Sequence, residues 1–175
     1  MDFSQNHFAL FDLPATFALD RARLDSAYRA LQNAVHPDRF AAEAEAGQRL
    51  ALQWSSRVNE AYQTLRNPVT RGAYLLGLAG IDAFAPHDTR MAPAFLMQQM
   101  EWREAVDAAR AQRDVAALGA LEAELAAHAR ALETRLGQAL DVEHDLDAAT
   151  AAVRELRFME KLLAEIGDVY EELEA

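Results

Sequence analysis

The chain has 175 residues, with 28 acidic against 17 basic side chains and a formal net charge of −11. At 51% hydrophobic and 26% charged it can bury enough apolar surface to offset chain entropy, as one domain or two small ones. The lack of cysteine excludes disulfides and thiolate chemistry, the acidic balance argues against a nucleic-acid partner, and no uncharged run exceeds ten residues, where about 18 would span a bilayer.

Met1 to Phe11 carry Asp2 and no Lys or Arg, so neither a secretory signal nor a transit peptide is expected and the cytoplasm is the predicted location. His7 to Leu13 is a short apolar segment stopped by Pro14. Asp20 is placed to cap a helix whose face is Leu24, Ala27, Tyr28, Leu31 and Val35. That helix must end near Val35, because the residue before Pro37 is pushed out of the α region. A second amphipathic run, about Glu43 to Arg66, keeps Trp54, Val58, Ala61, Tyr62 and Leu65 in phase. Asn67-Pro68 closes it and starts a short helix through Leu76. The pattern is an antiparallel hairpin with short flanking helices.

Charge divides the chain at the next segment. Residues 1–85 hold 9 acids and 8 bases, whereas residues 86–175 hold 19 acids and 9 bases. Gly77 to Pro93, with two Gly, two Pro and two Asp, has turn chemistry and reads as a linker. Pro93 then suits the first position of a helix to about Gln112, and Asp114 can start the next. Leu118, Leu121, Leu125, Leu132, Leu136 and Leu140 stripe that helix. Ala149, Val153, Leu156, Leu163, Ile166, Tyr170 and Leu173 stripe the last one. The fold class is therefore all-α, with a hairpin domain over residues 1–76, a linker over 77–92 and a three-helix bundle over 93–175.

A His-Pro-Asp turn between two helices is, taken alone, most simply a helix break. Here it sits in a longer order: a short helix ending in Leu-Pro, a helix with a Tyr-x-x-Leu face, His36-Pro37-Asp38-Arg39-Phe40, a long helix ending Asn59-Glu60-Ala61-Tyr62-Gln63-Thr64-Leu65, then Asn67-Pro68 with Arg71 and Tyr74. Together these resemble the J domain of co-chaperones that stimulate DnaK-class ATPases. The resemblance implies that the hairpin presents Asp38 to an arginine of the chaperone, with Pro37 fixing the turn and His36 supporting it. Arg29 and Arg39 would complete the chaperone-binding set. Gln32 and Asn33, just before the break, are neutral where J domains are usually basic, so electrostatic steering should be modest.

On the first bundle helix, Phe95, Trp102 and Val106 fall on one face at about 100° per residue. Leu96, Met97 and Met100 fall elsewhere, among Glu101, Glu104 and Asp107. A bundle helix needs one apolar face, and adaptable methionines ringed by carboxylates read as a protein-binding surface. Phe158 similarly falls outside the stripe of the last helix and is expected to face outward. Phe95-Leu96-Met97 with Glu101 and Arg103-Glu104, the Leu156-Arg157-Phe158-Met159-Glu160-Lys161-Leu162 segment, and Arg71 with Tyr74-Leu75-Leu76 resemble the HscB family, J-type co-chaperones of iron-sulfur cluster assembly. That resemblance covers essentially the whole chain. It implies that the bundle binds the scaffold protein IscU through Leu96, Met97, Met100, Glu101, Glu104 and Phe158, and that the J domain delivers IscU to the chaperone HscA. It also suggests a bacterial chain.

No catalytic, cofactor or metal site is expected. Gly47, Gly72, Gly77 and Gly80 form neither phosphate-loop pattern, and the five histidines include no i, i+4 pair. The protein is predicted to be a monomer that is not itself an enzyme, and binds no nucleic acid or membrane. An all-helical adaptor without ATPase-stimulating activity is the alternative. A carboxylate hydrolase would need a pocket that an Ala- and Leu-filled bundle leaves little room for.

Overall fold

The computed structural model describes residues 4–36, 45–86 and 91–174. Among these the chain is entirely helical, in two compact units, Met1–Leu75 and Leu76–Ala175.

The first unit opens with α1 (His7–Leu10), capped by Asn6, whose Oδ1 accepts from Ala9 N–H at 2.9 Å. Its hydrophobic side chains fill the core beneath the hairpin: Phe8 and Phe11 lie with Leu24, Trp54, Val58 and Leu65. Helix α2 (Arg21–Val35) begins where Asp20 Oδ1 accepts the Arg23 N–H at 3.1 Å. Leu24 and Val35 are buried, and Ala27, Tyr28 and Leu31 pack partly buried against the same core.

Helix α3, described over Glu45–Arg66, runs opposite to α2. The direction follows from the pairings. The Tyr62 hydroxyl donates to Asp25 at 3.0 Å, while the Tyr28 hydroxyl donates to Asn59 at 2.9 Å. The two tyrosine rings stack between these bonds with centroids 3.9 Å apart. Gln32 donates to the Tyr28 hydroxyl at 3.0 Å and also to Asn59. The neutral residue before the helix break is thus part of the clasp between α2 and α3.

Asn67 caps α4 (Pro68–Leu78) by accepting from Thr70 N–H at 3.0 Å, and the unit boundary falls inside this helix. Arg71 fastens the helix, donating to the Leu65 carbonyl at 2.6 Å with its guanidinium 4.6 Å from the centre of the Phe17 ring. Tyr74 stacks on His7 at 4.3 Å and its hydroxyl accepts the His7 N–H at 3.0 Å, closing α1 onto α4.

The second unit is a three-helix bundle. Helix α5 (Pro93–Gln112) ends in a left-handed residue, Arg113, with φ 53°. Its end is tied by Asp114 N–H to the Ala109 carbonyl at 2.9 Å, the bond pattern of a Schellman cap. Asp114 Oδ1 then accepts Ala117 N–H at 2.9 Å and starts α6 (Val115–Gln138). The leucine stripe of α6 is buried at 118, 121, 125, 132 and 136. A π turn over Ala139–Glu143 then changes the register, so Ala139 is buried and Leu140 only partly so.

Asp145 Oδ1 accepts Ala148 N–H at 2.9 Å at the start of α7 (Leu146–Glu174). The buried face of α7 differs from the predicted stripe: Met159, Leu162 and Val169 are inside, and Leu163, Tyr170 and Leu173 are only partly buried. Over 29 residues a 3.6-residue repeat drifts off a fixed seven-residue spacing, and the burial follows the helix. Residues 81–86, within the stretch read as a linker, lie along α7. Ala83 is buried and its carbonyl accepts from Arg154 Nε at 2.7 Å.

Candidate functional site

On the first unit, Arg29 is exposed on α2 and His36 is the exposed C-terminal cap of that helix. At φ −60° and ψ 127° His36 is extended, as a residue preceding proline must be. Pro37, Asp38 and Arg39 lie outside the described residues. Burial, the Arg57 charge and the countervailing Glu60 set the titration of His7 behind the hairpin, with a net lowering of its pKa.

On the second unit, the core face of α5 holds Phe95, Trp102, Val106 and Ala109. Trp102 is fixed in position by its indole N–H, which donates to Glu124 of α6 at 2.9 Å. At about 100° per residue, Leu96, Met97, Met100, Glu101 and Glu104 centre on the opposite side. Leu96 is 46%, Met97 66% and Met100 63% exposed. Glu101 and Glu104 are exposed too, with Glu101 accepting from Gln98 at 2.9 Å. The result is an exposed apolar strip edged by carboxylates, on a helix whose other face is locked in a core.

Phe158 does not stand outward as predicted. It is half-buried, edge-on to Phe95 with centroids 5.7 Å apart and near-parallel to Trp102 at 6.5 Å. The helical projection placed it off the α7 stripe correctly, but the large rings of α5 reach across and cover it. Next to it, Arg103, Arg154, Arg157 and Lys161 line a cavity of about 380 Å³ with Phe84 and Phe158. No local motif marks these cations in the sequence, although 154, 157 and 161 have the spacing of one helix face.

Residues 91–167 match the family described as "HSCB C-terminal oligomerisation domain". Over 174 residues, 99% of both chains, the protein is 55% identical to the co-chaperone protein HscB homolog of Burkholderia multivorans. The chain belongs to the HscB family. Chaperone HscB from Vibrio cholerae has the same fold, with a TM-score of 0.86 and 39% identity over 97% of this chain and 99% of that one. Human co-chaperone protein HscB superposes with a TM-score of 0.86 at 28% identity, covering 95% of this chain and 83% of that one. The first unit is accordingly the J domain of an HscB-type co-chaperone and the second its C-terminal helical bundle. No helix among the described residues is long and apolar enough to cross a membrane.

Proposed function

We propose that this HscB-family protein is a cytoplasmic co-chaperone of iron-sulfur cluster assembly that couples a scaffold protein to a DnaK-class chaperone. The J domain, residues 1–76, engages the chaperone HscA through His36, Pro37, Asp38, Arg29 and Arg39 and stimulates its ATPase. Residues 77–92 connect it to the bundle, residues 93–175, which holds the scaffold IscU on Leu96, Met97, Met100, Glu101, Glu104 and Phe158. The protein performs no bond chemistry. It favours one state of its partner through contacts that differ between the partner's states.

The observation that carries this reading is the second face of α5. Three large apolar side chains, each 46–66% exposed, share one helix face with two carboxylates and face away from the bundle core. Helix-in-groove recognition uses anchors at this spacing, and the acidic edge favours a partner with a polar or basic rim.

The test measures two activities in one set of variants. Asp38→Asn or His36→Gln is expected to abolish stimulation of purified HscA ATPase and to leave calorimetric affinity for IscU unchanged. Leu96→Ala with Met97→Ala is expected to weaken IscU binding by about 2 to 3 kcal/mol and to leave stimulation by the free protein intact. Stimulation that survives Asp38→Asn would favour a simple adaptor, and unchanged IscU affinity would remove α5 from the interface.

A further inference from the structure

The cavity beside Phe158 has the opposite electrostatic character to the unit that contains it. Residues 86–175 hold nine bases against nineteen acids, yet four of those nine, Arg103, Arg154, Arg157 and Lys161, line this one cleft, and no acid is among its described lining residues. Two aromatic rings carry two of the cations. The Arg157 guanidinium lies 4.2 Å from the centre of the Phe84 ring, and that of Arg103 lies 5.6 Å from the centre of Phe158. A guanidinium seated over a ring can still offer its fork of N–H donors to a carboxylate bidentately. Arg154 has a different task, since its Nε donates to the Ala83 carbonyl at 2.7 Å and so holds the segment that bears Phe84.

We propose that this cleft docks a short acidic segment of a partner protein, with carboxylates against Arg103, Arg157 and Lys161 and an apolar side chain on the Phe84 and Phe158 rings. The dimensions favour an extended peptide. Arg157 and Lys161 are separated by about 6 Å of helix rise, close to the roughly 6.7 Å between residues i and i+2 of an extended strand. The apolar floor favours a peptide side chain over a bare anion. The surrounding negative charge selects against nucleic acid and anionic membranes, because a long polyanion meets repulsion as soon as it leaves the cleft. This reading does not depend on the identity of the scaffold, and it shares only Phe158 with the surface proposed above.

The experiment uses the full chain and a fluorescein-labelled octapeptide with Glu at alternate positions and one central Phe, read by anisotropy. Its control carries Gln at every Glu position. The acidic peptide is expected to bind and to lose about tenfold in affinity between 50 and 300 mM salt as screening shortens. Arg157→Glu with Lys161→Glu should reduce its affinity at least about thirtyfold with helicity unchanged, whereas Met97→Ala should have no effect. Equal binding of the Gln peptide, no loss in the double variant, or no binding at millimolar peptide would each overturn the proposal.

Discussion

The rings of Phe158 and Phe95 meet edge to face, 83° apart in plane with centroids 5.7 Å apart, and join α7 to α5 at the end of the bundle where the methionine strip begins. Phe158 therefore belongs both to a proposed binding surface and to a packed aromatic cluster. Phe158→Ala is expected to lower bundle stability by about 2 kcal/mol, less than for a fully buried phenylalanine. Met97→Ala, at 66% exposed, should stay within about 0.5 kcal/mol of the parent. Urea unfolding of both variants checks the contrast. Equal stabilities would place the Phe158 ring outside the cluster.

Trp102 is 4% exposed, and its indole N–H depends on Glu124 for an acceptor at 2.9 Å. Removing that acceptor leaves a buried donor unpaired. Glu124→Ala should cost about 1 to 2 kcal/mol, while Glu124→Gln, which keeps a carbonyl oxygen in place, should recover most of it. The comparison of the two variants separates the hydrogen bond from the charge, and a parallel loss in both would assign the effect to charge.

The extent to which these features were legible in the sequence depended on the range of the interaction. Caps are local, so Asp20 and Asp114 could be assigned from their neighbours, and both hold the predicted helix starts. One-turn periodicity is also local, which is why the inward face of α5 and its exposed opposite face were separable. Errors arose where distant elements decide. Phe158 is covered by rings of another helix, and the π turn at Ala139–Glu143 moved the end of the α6 stripe although no proline or glycine lies within it. Residues 81–86 have turn chemistry, yet Arg154, some seventy positions later, holds them to α7. Of the chaperone-binding set, only Arg29 and His36 lie among the described residues.

The tyrosine clasp makes a prediction about the hairpin that would carry the His-Pro-Asp loop. Tyr28 and Tyr62 stack at 3.9 Å and bond across to Asn59 and Asp25. Tyr62→Phe keeps the ring and deletes the hydroxyl, and should cost about 0.5 to 1 kcal/mol. A double-mutant cycle with Asp25→Ala should return a coupling of similar size. A coupling of zero would mean the bond contributes nothing in solution and the stacked rings alone hold α2 to α3.

His7 gives the first unit a pH dependence. Its side chain is 7% exposed, it stacks on Tyr74, and Nδ1 has no hydrogen-bond partner among the described residues. Burial foremost, then the Arg57 charge, lowers its pKa, and Glu60 only partly opposes them. The folded unit therefore favours the neutral imidazole. In the unfolded chain His7 titrates near 6.5, so below that pH the unfolded state binds the extra proton and gains free energy that the folded state does not. The contribution of His7 is complete above about pH 6.5 and is lost as pH falls toward the folded-state value, with a slope of at most about 1.4 kcal/mol per pH unit. His7→Phe retains a ring against Tyr74 and cannot titrate. In a Trp102→Phe background, Trp54 is the sole tryptophan and reports the first unit. There the stability of the parent minus that of His7→Phe should decline from pH 7 to pH 5. A difference independent of pH would show that His7 accepts its proton as readily folded as unfolded.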